Sequence, residues 1–446
     1  MTAVAIIVPG IMGSVLKLDD EIIWPGSLGS LWLPYKKMTE LLRDDLIATD
    51  CIRTFSVTTQ YQALIDDLTT CGFSEAEGTL IIAAYDWRKD NADAAKVLAD
   101  HIDKAVARFG AETDISIIAH SMGGLISRYY LETGQFHDRP GFGNILRLIT
   151  LGTPHTGAAL ALPMVLGREK QLFLSKDQVL LAARDPRYPA AYQLLPPEGE
   201  PFAWAKDAGG TLMNVYDQDV AKRLGLVQAN LDKARRFHGA LNFAKRPDKV
   251  RYFCFAGTQQ TTATHVLLRD DGHKGLRPDA IEEKDGGDGT VPTWSAFLPR
   301  FERQFVGGEH ATIYQTRELR RVLATLLGKP GTLFAVPASV EVAVRDRVVE
   351  PENQVHVTIN FGQSLNDFSG VLTVERARLD DGATKPTKDF DPPIATYSAT
   401  YQGVGMDYMS LVFEAPDIPG AYRVAFRDSA AAAPSGYDEL IVQQPE

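Results

Sequence analysis

Ser121, Asp288 and His310 are a hydroxyl, a carboxylate and an imidazole that follow one another in that order along 446 residues. An imidazole that takes the serine proton, and is itself oriented by a carboxylate, turns a weak hydroxyl into a nucleophile for a carbonyl carbon. Ser121 stands in Ala119-His120-Ser121-Met122-Gly123-Gly124, directly after the apolar run Ile115 to Ala119 and directly before a helical pattern of Leu125, Ile126, Tyr129 and Tyr130 closed by Gly134. The expected structure is a strand, a sharp turn and a helix, with the hydroxyl projecting from the sheet and the small Ala119 and Gly123 letting strand and helix pass closely. The bare pattern of small residue, Ser and Gly arises by chance on the order of a few tenths of a time in a chain this long. The flanking elements, and an acid and a histidine downstream in the order an α/β-hydrolase requires, are what raise it.

Asp288 lies in Lys284-Asp285-Gly286-Gly287-Asp288-Gly289-Thr290-Val291-Pro292, a turn rich enough in glycine for a carboxylate to fold back onto a histidine. A calcium loop is the competing reading, but the run lacks the longer ligand series and terminal Glu of such a loop. His310 follows in Gly307-Gly308-Glu309-His310-Ala311. Of the nine histidines it alone comes after the acid at the position of the base. His120 precedes the serine and is expected to point away from it, His155 comes before the acid, and His356 falls in a later unit. His101, His137, His238, His265 and His273 read as surface or packing residues. After Ala3 to Val8, the loop Pro9-Gly10-Ile11-Met12-Gly13-Ser14 sits where such a sheet supplies an oxyanion donor. The amides of Ile11 and Met122 are the expected pair, and a plain strand-ending turn is the alternative for the first. Gly10, His120, Asp86, Trp87, Arg88 and His155 are expected to support the site or touch substrate, with Asp86 and Arg88 bracing loops.

The elements that must position these groups read as a doubly wound, mostly parallel sheet. Ala3 to Val8 is a continuous apolar run, Leu80 to Ala84, Ile115 to Ala119, Ile145 to Leu151 and Val250 to Ala256 read as further strands, and Tyr61 to Thr69 and Ala92 to Phe109 alternate with them as helices. Leu16 to Cys51 reads as an irregular insertion whose Trp32 and Leu33 either pack in the core or line a substrate entrance. Between residues 158 and 246 the strand rhythm stops, prolines and helical patterns take over, and a cap over the active site is expected. Beyond Gly328 the pattern turns to period two, through Val355, Val357, Ile359 and Phe361 and again through Tyr422, Val424 and Phe426, which predicts an antiparallel β-sandwich of about seven strands. The expected division is therefore 1–328 and 338–446.

With 46 basic against 57 acidic residues the chain carries −11, which argues against nucleic acid and against strong attraction to anionic membranes. Cys51, Cys71 and Cys254 are an odd number without metal spacing and read as free thiols. No run reaches membrane-spanning length, and no secretory pattern opens the sequence, so a cytoplasmic location is expected. No cofactor or metal is expected.

Six motifs in order carry a resemblance: Val8-Pro9-Gly10 with Gly13; Tyr85-Asp86-Trp87-Arg88; His120-Ser121-Met122-Gly123-Gly124; Leu151-Gly152-Thr153-Pro154 with Gly157; Gly287-Asp288-Gly289-Thr290-Val291; and His310 before a helix. Over residues 3 to 328 the chain resembles the lecithin:cholesterol acyltransferase and lysosomal phospholipase family, its bacterial members above all. The resemblance implies a capped serine α/β-hydrolase acting on acyl esters of lipids, with Ser121 as nucleophile, Asp288 as acid, His310 as base and Ile11 and Met122 as oxyanion amides. Ala119 departs from the usual glycine before the serine, and the carboxyl-terminal sandwich is extra to the family core. The substrate expected is a small-molecule or lipid acyl ester, with transient contact to a lipid surface. Acyl transfer to an alcohol and a catalytically silent lipid-binding scaffold are the alternatives.

Overall fold

A computed structural model describes residues 2–26, 33–55, 58–200, 212–273, 275–298, 302–329, 340–380, 385–429 and 435–445. Its centre is a six-stranded parallel sheet in the order Glu302–Gly307, Arg251–Thr258, Ile145–Leu151, Thr113–His120, Thr2–Val8, Leu80–Ile82. The strands are apolar on both faces because both faces are covered. Val4, Ile6 and Val8 join one core, with Ile115, Ile117 and Ala119. Ala5 and Ile7 join the other, with Ile118 and Ile149. The helix Asn91–Phe109 covers the first face. The Asp90 side chain accepts from Ala92 N to open it, and Ala94, Ala95, Leu98, Ala99, Ile102 and Ala105 form its buried stripe. Gln62–Thr70 and Arg317–Leu326 cover the second through Leu64, Leu68, Leu319 and Leu323.

Parallel register brings the carboxyl ends of the central strands to one edge. Val8 is level with Ala119, His120 with Leu151, Leu151 with Phe255 and Thr258 with Gly307. The loops after Val8, His120, Leu151, Thr258 and Gly307 therefore open on the same side, where sheets of this kind place their sites.

The cap region expected between 158 and 246 consists, in its described part, of short helices that pack onto the core of the parallel sheet: Ala161–Val165, Lys176–Ala183, Gln218–Leu224 and Gln228–Ala240. Phe237 stacks on Tyr129 of the helix after Ser121, ring centroids 5.3 Å apart. Three stretches differ from their sequence reading. The insertion after Leu16 contains a small antiparallel sheet of Ser14–Leu18, Glu21–Trp24 and Ile47–Cys51. The span before Asp288, read as a loop, is a long hairpin of Gln260–Asp270 with Leu276–Gly287. Glu302–Gly307 is a further strand, too polar to stand out because it lies at the sheet edge with Phe305 exposed. Trp32, Trp204 and Pro337 lie outside the described residues.

The carboxyl-terminal β-unit has the seven strands expected, joined in one curled sheet. Its longest strand, Gln354–Leu379, runs through 26 residues and pairs with Glu341–Val344, Ala395–Glu414 and Gly420–Asp428. The register of its pairing with Ala395–Glu414 shifts between Asn360 and Leu365, where Gly362 has φ 63°, and this irregularity lets one strand turn the corner. The pairing is antiparallel except for Val348–Val349, which runs parallel to Gly436–Val442. Val355, Val357, Ile359, Leu372, Val424 and Phe426 fill its interior.

Close passage of the serine helix across the first strand sets a testable limit. A Cβ on Gly123 would lie 2.3 Å from Val8 O, a backbone atom, whereas a Cβ on Gly239 in the outer helix would meet nothing within 4 Å. Gly123→Ala is expected to destabilise the protein by about 1–3 kcal/mol, and Gly239→Ala to stabilise it by about 0.4–1 kcal/mol. Urea midpoints of the two variants beside the parent check both signs.

Candidate active site

Ser121 sits at the strand-to-helix turn with φ 53° and ψ −126°, a conformation that side chains rarely adopt. Its N–H donates to Leu151 O at 2.9 Å and its carbonyl accepts from Gly124 N at 3.0 Å, so the turn is tied to the next strand and to its own helix. Gly10 lies against it. A Cβ there would fall 2.9 Å from Ser121 Cβ and 3.2 Å from His120 Nδ1.

Three of the residues predicted from sequence come together in one line of hydrogen bonds. Ser121 Oγ and His310 Nε2 are 3.0 Å apart, and His310 Nδ1 is 2.8 Å from Asp288 Oδ2. The acceptor at Nδ1 is a carboxylate, so Nδ1 carries the proton of the neutral ring and Nε2 faces the hydroxyl as acceptor. Asp288 is itself fixed: Oδ1 accepts from Thr290 N at 3.0 Å and Val291 N at 2.7 Å, and its carbonyl accepts from His310 N at 2.8 Å. Acid loop and histidine turn are thus joined through backbone as well as side chain. Burial disfavours the charged His310 ring, but the Asp288 charge, its hydrogen bond and Glu309 together outweigh that and leave the imidazole raised above its ordinary value.

His120 lies behind the ring of His310, ring centroids 4.9 Å apart. Tyr61 Oη is 2.7 Å from His120 Nδ1, and His120 Nε2 is 2.9 Å from His310 O. A carbonyl only accepts, so Nε2–H donates to it and Nδ1 accepts from the Tyr61 hydroxyl, which in turn accepts from Gly10 N at 2.9 Å. This relay ties the first loop to the histidine turn. Burial chiefly, and then the charge of His310, push His120 down to about 3, so it stays neutral.

The loop from Pro9 to Met12 is held from three further sides. Tyr85 Oη donates to Pro9 O at 2.8 Å, Trp24 Nε1 donates to Met12 O at 2.8 Å, and Gly13 N donates to Gly10 O at 3.1 Å. Trp87 packs edge-on against Trp24 at 5.3 Å and so backs that loop. Arg88 pairs with Asp86 at 2.6 Å, donates to the carbonyls of Leu41 and Arg43, and lies 4.6 Å from the centre of the Tyr188 ring. The pair joins the first insertion to the cap region and is not part of the hydrogen-bonded line. His155 is also set apart. Its bonds run to Thr150 Oγ1, Ser295 O and Arg128 Nη1, beside the buried Arg128–Glu132 pair.

An apolar cavity of about 60 Å³ begins at Ile11 and Met12 and runs between Trp87 and the cap residues Met164, Val165 and Leu174. A larger one, about 470 Å³, lies between the hydrolase and the carboxyl-terminal sheet, and none of Ser121, Asp288 or His310 lines it. Sequence reasoning missed Tyr61, which it placed only as the start of a helix, and Glu309, which it passed over as a neighbour of His310. Glu309 is buried and accepts from Ala311 N at 2.9 Å. Among the described residues no helix is long and apolar enough to cross a membrane.

The two central histidines act oppositely on stability. His310 is raised in the folded chain, so its stabilising contribution is present below about pH 6.5 and lost as pH rises through the folded value. His120 is depressed, so it costs stability as pH falls below about 6.5. Imidazole NMR of the folded protein should show His310 titrating above 6.5 and His120 unprotonated wherever the fold persists above pH 4.

The family model described as lecithin:cholesterol acyltransferase matches residues 45–295, more than half of the chain. No curated protein matches it. Among solved structures, the Tle4–Tli4 complex superposes with a TM-score of 0.53 at 16% identity, covering 75% of this chain and 99% of that one, a likeness of fold. The lin2722 product from Listeria innocua covers 74% of this chain and 95% of its own at 14% identity and a TM-score of 0.31. Phospholipase PlaB from Legionella pneumophila covers 98% of this chain and 90% of its own at 10% identity and a TM-score of 0.29.

Proposed function

This chain belongs to the lecithin:cholesterol acyltransferase family, and from that premise we propose that it is a serine carboxylic ester hydrolase acting on acyl esters of lipids, with Ser121, His310 and Asp288 as its triad. The observation that carries the reading is the unbroken line from Asp288 Oδ2 through both nitrogens of His310 to Ser121 Oγ, at 2.8 and 3.0 Å. A binding scaffold needs no such alignment.

In this mechanism His310 Nε2 takes the proton of Ser121 as Oγ attacks the ester carbonyl. Asp288 holds the ring by its Nδ1–H and stabilises the imidazolium. The carbonyl oxygen becomes an oxyanion, received by the amides of Ile11 and Met122, the first in the pinned loop and the second at the start of the serine helix. As the tetrahedral intermediate collapses, His310 returns its proton to the leaving alcohol and the acyl group stays on Ser121. Water, deprotonated by His310, then attacks the acyl-enzyme, and the released serine recovers its proton.

The family's own description favours a second reading, in which an alcohol and not water accepts the acyl group. Ser121 is only 5% exposed, which limits the approach of water to an acyl carbon held there. Partition of product between acid and new ester, with a primary alcohol present, separates the two.

Wild type should turn over short aryl esters and be labelled by a fluorophosphonate, and Ser121→Ala should lose both. Labelling at another residue, or turnover unchanged in Ser121→Ala, overturns the proposal. The neutral ring is the active base, so kcat/KM should rise with pH through an apparent pKa above 6.5. Asp288→Asn removes the main group that raises His310, so its acid limb should move to lower pH while kcat falls by about 10⁴. An unshifted limb in a pH–rate profile would contradict the assignment of Asp288.

A further inference from the structure

Arg347 lies between the strands Glu341–Val344 and Val348–Val349 of the carboxyl-terminal sheet, yet its guanidinium is buried against the hydrolase. It pairs with Asp438 of the same sheet, Nη2 to Oδ1 at 2.8 Å, and its Nη1 donates to Gln60 Oε1 at 2.9 Å. Gln60 precedes the helix Gln62–Thr70 and reaches on, Nε2 donating to Ala311 O at 3.4 Å. Ala311 is the residue after His310, in the short helix His310–Gln315. The same turn is opened by Glu309, whose carboxylate accepts from Ala311 N. A carboxylate buried this deeply requires a cation or a proton. Burial pushes Glu309 up to about 8, against the charges of Arg347 first and His310 second, while Asp438 acts the other way. Tyr314 and Glu439 also face the Arg347 charge.

We propose that Arg347 is a positioning residue of the active site, by which the carboxyl-terminal sheet holds the turn that presents His310 through Gln60. The inference rests on His310 being the base. It gives this extra unit a part in the chemistry, because without it the histidine turn would be held on the hydrolase side alone, by His120 and Asp288. Removing the guanidinium pushes Glu309 higher still, so that it keeps its proton, and what is lost is the brace on Gln60.

The test uses the full chain and a short aryl ester, whose binding does not depend on a lipid surface. Arg347→Met is expected to lower kcat by about 10- to 100-fold, the cost of a displaced base, with KM within about twofold. Arg347→Lys should retain more activity than Arg347→Met, and Arg347→Met with Gln60→Met should be no more impaired than either single variant, as two links of one chain are, which general loosening of the fold would not give. Wild-type kcat in Arg347→Met, or losses of the two single variants that multiply in the double one, overturns the inference. If Arg347→Met does not fold, Gln60→Met removes the bridge without stranding a charge, and wild-type kcat there overturns it equally. Wild type that turns over no ester defeats the functional reading and this inference together, whereas active wild type beside an unimpaired Arg347→Met defeats this inference alone.

Discussion

Everything at the edge of the parallel sheet depends on the imidazole of His310 being held between a carboxylate and a hydroxyl, with each ring nitrogen given one role. That requirement couples loops distant in sequence to about one ångström, because a hydrogen bond weakens steeply outside its short range. The parallel register meets it in part, bringing the carboxyl ends of Thr113–His120, Arg251–Thr258 and Glu302–Gly307 to one edge of the sheet. Backbone bonds then carry the alignment the rest of the way, from Ser121 to Leu151 and from His310 to the carbonyl of Asp288.

A second tier keeps the base from drifting. Gly10 N–H, Tyr61 Oη–H and the His120 ring form a chain ending on the His310 carbonyl, and its direction is set because a carbonyl cannot donate. Such a chain works only while His120 is neutral, and burial keeps it so. The first loop and the His310 turn are therefore positioned by one network, so that the expected oxyanion amide of Ile11 and the proposed proton acceptor keep a fixed relation. The carboxyl-terminal sheet meets the same turn from the other side through Arg347 and Gln60.

Much of this was legible in the chain, and the reasons differ residue by residue. Ile115 to Ala119 announces a strand buried on both faces, Ser121 and Gly123 announce the turn, and the order of Asp288 and His310 selects them from many acids and nine histidines. The strand Glu302–Gly307 escaped notice because an edge strand needs no apolar outer face, and the hairpin before Asp288 because its exposed positions are charged, as at Glu282, Glu283 and Lys284. The alternation after residue 340 correctly indicated β-structure but not that one 26-residue strand bends through it at an irregular register. Tyr61, Glu309 and Arg347 were illegible for a different reason. Their surroundings come from elements far away in sequence, and a lone Tyr, Glu or Arg reads the same whether it faces water or a buried carboxylate.

The central claim is that an acyl group passes through Ser121. Its most direct measurement is a rapid acid quench during turnover of an aryl ester, followed by proteolysis and mass spectrometry of the peptide that contains residue 121. The account predicts a peptide heavier by the acyl group less one hydrogen, formed in a burst with the first equivalent of released phenol and absent at every other residue. Steady turnover with residue 121 unmodified at all quench times, or with the acyl group on a different side chain, would contradict it.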